Sequence, residues 1–178
     1  IPGIAFENVL SISIDTNNIL WVFTSNNDTR SYQITITDGG GAILTSNNLF
    51  KHPEKLRWAF SEGQLVYFID DTYSLYEYDF NNRQQYFIAD LKTEIEEHGE
   101  VSSIIKQQND YYIGFKSSGL IILKYIPDQK IKYRIQSTEI QSGIFCLMKD
   151  KYQDIVWIGT DGQGLYMYLS LIHISEPT

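Results

Sequence analysis

The acidic side chains that could do chemistry fall in two clusters, Asp70-Asp71 and Glu94/Glu96/Glu97. Glycoside hydrolysis needs two carboxylates held at a defined separation across a bound sugar. Adjacency in sequence supplies no such separation, so both clusters read as solvated loop charges. Neither His52 nor His98 has a metal-ligand partner at close spacing, and His173 lies near the end of the chain. A Ser-His-Asp arrangement can assemble across a fold, yet no nucleophile-elbow motif marks a serine. The single cysteine, Cys146, can form no internal disulfide, and its apolar run Gly143-Ile144-Phe145-Cys146-Leu147-Met148 reads as a strand with a buried structural thiol. Asp38-Gly39-Gly40-Gly41 and Gly162-Gln163-Gly164 are glycine-rich, but neither opens a helix, which favours hairpin turns over phosphate cradles. Asp15-Thr16-Asn17-Asn18 has the look of a calcium loop and lacks the later bidentate Glu. The expectation is a protein that is no enzyme, with no catalytic residue, no metal and no cofactor.

The elements that position these residues repeat. Leu20-Trp21-Val22-Phe23-Thr24 recurs as Val66-Tyr67-Phe68-Ile69-Asp70, as Tyr111-Tyr112-Ile113-Gly114-Phe115 and as Val156-Trp157-Ile158-Gly159-Thr160, with the aromatics 46, 45 and 45 residues apart. A period in the forties, carried by short apolar runs with turn residues between them, marks a four-stranded propeller blade rather than a helical repeat. The fold expected is therefore all-β: a partial β-propeller of about four consecutive blades, the last one truncated. The blade units are residues 5–50, 51–98, 99–140 and 141–168. Four blades leave strand edges unpaired at both ends, so low solubility is expected of residues 1–168 alone.

Within the first unit the strands read as Val9 to Asp15, Ile19 to Thr24, Arg30 to Thr37 and Ala42 to Ser46. The second runs Leu56 to Phe60, Leu65 to Ile69, Ser74 to Tyr78 and Gln84 to Ile88. The third has Val101 to Lys106, Tyr111 to Phe115, Gly119 to Tyr125 and Lys130 to Gln136. The fourth has Ile144 to Asp150, Ile155 to Thr160 and Gly164 to Tyr168, without a fourth strand. Leu91 to His98 reads as a loop or a single helical turn, being short and poorly periodic. Trp21, Tyr67, Tyr112 and Trp157 hold equivalent places and read as packing between blades.

Composition narrows the partners. Hydrophobic residues make up 43% and charged residues 20%, which describes a globular chain rather than a disordered one. No apolar run approaches the roughly 18 residues of a membrane span. The formal net charge of −8 and scattered basic residues argue against contact with nucleic acid. Leu169 to Thr178, LSLIHISEPT, break the repeat and look like the conceptual translation of a sequencing-library adapter, so residues 169–178 are expected not to be native. On that expectation the chain is a fragment whose parent continues beyond Tyr168.

Asp150-Lys151-Tyr152-Gln153-Asp154-Ile155-Val156-Trp157-Ile158-Gly159-Thr160-Asp161-Gly162-Gln163-Gly164-Leu165-Tyr166-Met167-Tyr168 is the most specific stretch. It resembles the two-component regulator propeller repeat, in which an Asp-led turn precedes Trp-Ile-Gly-Thr and then Gly-Leu-Tyr. The motif positions are Asp150, Trp157, Gly159, Thr160 and Gly164 here, with Asp15 and Trp21 in the first unit and Tyr67 and Tyr112 replacing Trp in the second and third. The resemblance covers residues 1–168, strongly at one unit and by period at the others. It implies a portion of the periplasmic sensor region of a hybrid two-component histidine kinase. The partners it implies are an oligosaccharide from polysaccharide breakdown, the rest of the same sensor chain, and a second copy in a homodimer. The phosphotransfer machinery would lie outside this chain.

In a propeller the connections between second and third strands gather on one face with the interblade loops. That face would carry Asn26, Asp28, Arg30, Asp71, Tyr73, Lys116, Asp161 and Gln163, with His98 from an interblade loop. Amide, carboxylate and guanidinium groups beside aromatic rings suit a carbohydrate, whose hydroxyls need paired donors and acceptors while its C–H faces stack on rings. The other readings are a scaffold for protein partners without a signalling role and, last, a propeller lyase or glycosidase.

Overall fold

Runs of β-branched and aromatic residues, five to seven long and separated by polar turns, favour antiparallel hairpins, and the chain is built of little else. The structure, a computed structural model, describes residues 8–14, 19–25, 32–36, 42–46 and 52–169. Asp15, Asn26, Asp28, Arg30 and residues 170–178 lie outside them. The first sheet holds β1 (Val9–Ile14), β2 (Ile19–Thr24), β3 (Tyr32–Ile36) and β4 (Ala42–Ser46). The second holds β5 (Leu56–Glu62), β6 (Leu65–Asp70), β7 (Ser74–Asp79) and β8 (Gln84–Asp90). After helix α1 (Lys92–His98) come β9 (Val101–Gln107), β10 (Asp110–Phe115), β11 (Leu120–Tyr125) and β12 (Tyr133–Ser137), then β13 (Ile144–Lys149), β14 (Ile155–Thr160) and β15 (Leu165–Leu169). Among the described residues each sheet is antiparallel with its strands in chain order; the first three have four strands and the last has three. β15 takes in Leu169, which pairs with Ile155, so strand geometry runs one residue past Tyr168.

The repeat extends to an irregularity. Near the start of the first strand of every sheet the register slips by one residue, leaving Leu10, Arg57, Ser102 and Phe145 as the extra residue of a β-bulge. In β13 the bulge resets the alternation, so that Ile144 and Leu147 join the core while Cys146 and Met148 face outward. Cys146 is therefore exposed, not the buried thiol that its apolar run suggests.

The chain divides into two compact units, Ile1–Thr93 and Glu94–Thr178. In the first, Trp21 and Phe23 of β2 pack with Leu56, Ala59, Val66, Phe68, Tyr78 and Phe80, and the Trp21 and Phe80 rings lie 4.7 Å apart. Ser11 and Ser61 share a 2.8 Å hydroxyl contact and the Ser13 hydroxyl donates to the Gly63 carbonyl, tying β1 to the neighbouring sheet. In the second unit Ile105, Tyr112, Leu120 and Ile122 meet Ile140, Ile144, Val156 and Ile158. Full burial of each large apolar side chain contributes about 1.5–3 kcal/mol. Gly114 permits the approach of Ile144, because a Cβ there would stand 2.7 Å from it. At one end of this unit the Gln107 and Gln108 amides each donate to a different oxygen of Asp154, at 2.7 Å.

Helix α1 is longer than the single turn its sequence suggests. The Asp90 carboxylate accepts from the Lys92 amide at 2.9 Å, and Gly99, at φ 87°, closes the far end by donating to the Ile95 carbonyl. Leu91 and Ile95 are its buried anchors.

Candidate functional site

Four of the residues expected on a ligand face come together at one rim of the second unit. His98 ends α1; its ring stacks on Phe115 with centroids 4.9 Å apart, and its Nδ1 lies 3.3 Å from the Ser118 hydroxyl. Lys116, just after β10, donates its amide to the Glu100 carbonyl, and its ammonium pairs with the Glu100 carboxylate at 2.6 Å. Both charges are largely exposed, so the pair orients Lys116 more than it stabilises the fold. Asp161, after β14, donates its amide to the Gly143 carbonyl and accepts the Ser142 hydroxyl on its own carbonyl, leaving the carboxylate exposed. Gln163 accepts from the amides of Gln141 and Ser142 through Oε1, which leaves its NH₂ as a donor.

The loop that joins these groups, Gln141 to Gly143, is fixed by close backbone approach. The Gly119 amide donates to the Ser142 carbonyl at 2.9 Å. A Cβ at Gly143 would fall 1.9 Å from the Lys116 carbonyl oxygen, so only glycine fits. The rim presents a carboxylate, an ammonium paired with a second carboxylate, an amide donor and an imidazole on a phenyl ring. Such alternation of donors and acceptors beside aromatic faces suits a neutral, hydroxyl-rich ligand.

The first unit carries Asp71 and Tyr73 in the turn between β6 and β7. Asp71 is exposed and donates its amide to the Lys55 carbonyl. Tyr73 adopts φ 65°, and the Arg57 guanidinium lies 4.9 Å from its ring and 5.2 Å from that of Trp58. Arg57 and Trp58 were not foreseen; Arg57 is the extra residue of the β5 bulge, and no residue pattern signals its approach to the Tyr73 ring.

Asp70 corrects the reading of its cluster, for it is buried rather than solvated. One carboxylate oxygen lies 2.8 Å from His52 Nε2; the other accepts from the Thr72 hydroxyl, the Thr72 amide and the Ser74 amide. His52 Nδ1 lies 3.1 Å from the Gln85 amide nitrogen, which assigns that ring nitrogen as acceptor and leaves Nε2–H to donate to Asp70. The imidazole is walled by Phe68 and Tyr76. Burial pushes the Asp70 carboxyl up, but the hydrogen bonds from Thr72, His52 and the Ser74 and Thr72 amides outweigh it and hold the carboxyl below its ordinary value. The arrangement is a structural clasp with both imidazole nitrogens engaged.

The motif residues explain their own spacing. Asp150 accepts the Trp157 indole N–H at 3.0 Å through one oxygen and the amides of Tyr152 and Gln153 through the other. Those bonds, the indole first, lower its carboxyl below the ordinary value. The Thr160 amide and hydroxyl both donate to the carbonyl of Gly164, itself at φ 84°. Tyr67 and Tyr112 are buried; Tyr67 donates to Glu62 at 2.6 Å, and burial raises both phenols well above the usual range. These residues build the repeat rather than a site.

A cleft of about 360 Å³ in the second unit escaped sequence reasoning; it is lined by the Gln136–Ile140 connection and by Ile158 and Tyr166 to Tyr168. Among the described residues no cluster of three or more His, Cys, Asp or Glu could hold a metal. No helix among them is long and apolar enough to cross a membrane.

No protein-family model matches the chain, and no curated protein matches it. Among solved structures it is similar to the computationally designed Ika4 protein, at 11% identity over 93% of both chains with a TM-score of 0.55. At that identity the likeness is one of fold alone. It is also similar to the extracellular domain of a candidate one-component system from B. thetaiotaomicron, at 18% identity over 91% of this chain with a TM-score of 0.45. The chain spans 26% of that domain's length. A third is YCF48 from Cyanidioschyzon merolae, at 11% identity over 96% of this chain and 70% of that one, with a TM-score of 0.46.

Proposed function

We propose that this chain is a portion of a β-propeller that senses oligosaccharides in the extracellular or periplasmic region of a hybrid two-component system. Its role is binding, not catalysis, and the signal passes to a kinase outside this chain. The observation that carries the reading is the rim on which His98, Lys116, Asp161 and Gln163 converge, held by the Gln141–Gly143 loop. The likeness of Asp150 to Tyr168 to the two-component regulator propeller repeat supports it, as does the recurrence of strand, turn and bulge through four sheets. Binding transmits a signal only by favouring one arrangement of the receptor over another.

Titration of the purified chain with a panel of plant and host oligosaccharides, followed by calorimetry and thermal unfolding, tests it. A bound sugar at about one hundred times its Kd stabilises the fold by about 2.7 kcal/mol. Asp161→Ala and Gln163→Ala are expected to weaken binding about tenfold each, which corresponds to about 1.4 kcal/mol, with circular dichroism unchanged. If no sugar of the panel shifts the unfolding transition, the reading fails for those sugars.

A further inference from the structure

The turn between β14 and β15 holds one of the two Asp-Gly pairs of the chain, Asp161-Gly162; the other, Asp38-Gly39, lies outside the described residues. Glycine after aspartate leaves the next backbone nitrogen unshielded, because no Cβ stands beside it. Gly162 adopts φ 94°, a Cβ there would meet nothing within 4 Å, and among the described residues no group accepts its N–H. Asp161 and Gly162 are both exposed. This exposure is a property of the position in the repeat, since Lys116 and Ser117 hold the same place in the third sheet and are exposed although the fourth sheet packs on it.

The peptide that joins Asp161 to Gly162 is engaged on its oxygen alone. The Asp161 carbonyl accepts the Ser142 hydroxyl at 2.8 Å, and Ser142 is itself held by the Gly119 amide on its carbonyl. A hydrogen bond on an amide oxygen draws electron density from the nitrogen of the same peptide, so it eases loss of the Gly162 proton. The Asp161 amide donates to the Gly143 carbonyl, which holds that side of the turn while the Gly162 side stays free to close on the carboxyl.

We propose that Asp161 is a site of spontaneous isomerisation to isoaspartate, promoted by the Ser142 hydroxyl. The Gly162 nitrogen loses its proton and attacks Asp161 Cγ; the new C–N bond forms as a carboxyl oxygen leaves as water, closing a cyclic succinimide. Water then adds to either imide carbonyl. Addition at Cγ restores aspartate, whereas addition at the former backbone carbonyl breaks its bond to nitrogen and leaves the main chain running through Cγ. The water lost is regained and nothing is oxidised or reduced. The product carries one more backbone methylene in the turn, which draws Gln163 Oε1 away from the Gln141 and Ser142 amides that now donate to it. The chemistry is that of the turn and does not rest on the sensing reading.

The test is to hold the purified chain at neutral pH over weeks and map its peptides with a protease that cuts before aspartate but not before isoaspartate. Isoaspartate is expected to accumulate at Asp161, preceded by a succinimide lighter by the mass of one water, and Asp161→Glu should abolish both. Amide hydrogen exchange at Gln141 and Ser142 should quicken in the aged chain. Ser142→Ala is expected to slow the reaction at Asp161 severalfold and to leave Asp38 unchanged, with the two sequences reacting alike in concentrated urea, where the contact is absent. Absence of isoaspartate at Asp161 would overturn the inference. So would a rate at Asp161 that, relative to Asp38, is unchanged or raised by Ser142→Ala in the folded chain.

Discussion

Asp70 is the residue whose surroundings differ most from its sequence neighbourhood. It stands beside the exposed Asp71, yet its carboxylate gathers His52, Thr72 and Ser74. Asp70→Ala removes one partner from a buried pair and leaves His52 and two amides without their acceptor, at an expected cost of about 3 kcal/mol by urea unfolding. The carboxyl titrates below its unfolded value in the fold, so its contribution is complete above about pH 4, the ordinary aspartate range, and is lost as pH falls through the lowered folded value. Asp70→Asn should flatten the decline of stability below about pH 4, and an unchanged decline would assign it to other carboxylates. Sequence could not reveal this clasp because His52 is 18 residues away and reaches Asp70 only after two strands have formed. Asp150 and Trp157 are the opposite case, visible as a motif because they share one hairpin and bond across it.

Strands were legible because each is a run of five to seven residues rich in β-branched and aromatic types, and the recurring aromatic fixes the phase of the repeat. Their ends differ from the expected ones by one to three residues in either direction: β8 pairs on to Asp90, two past Ile88, while β12 begins at Tyr133, three after Lys130. The bulges were not legible, since the extra residue is Leu10, Arg57, Ser102 or Phe145 and no residue type unites them. Helix α1 escaped as a pattern, although Asp90 before it and Gly99 after it carry its limits. The four-residue rim was foreseen as a set of loop residues, but its organising member, Gly143, was not, because close approach to the Lys116 carbonyl is a tertiary fact. Gly114 gives the test at this scale. Gly114→Ala crowds Ile144 and is expected to cost about 1–3 kcal/mol. Ile144→Ala, which removes Cγ1 and Cγ2 from the contact, should cost less in the Gly114→Ala background than alone, and strict additivity in that double-mutant cycle would contradict the packing described.

Charge and apolar exposure oppose each other over the whole molecule. A net charge of −8 keeps copies apart, while exposed side chains on β1 and on the fourth sheet favour contact. Light scattering across pH should show association strengthening as the solution approaches the isoelectric point of about 4.8 and weakening again where the charge is restored. Insensitivity to pH would mean that repulsion does not limit contact. One further consequence follows from β15. Among the described residues it is the outermost strand of a three-stranded sheet, and its sequence Leu165-Tyr166-Met167-Tyr168-Leu169 holds no charge and no proline. A strand of that composition at a sheet margin is a template for cross-β growth, so a concentrated preparation is expected to seed fibrils from these five residues, read by thioflavin fluorescence, and a single lysine gatekeeper among them should lengthen the lag.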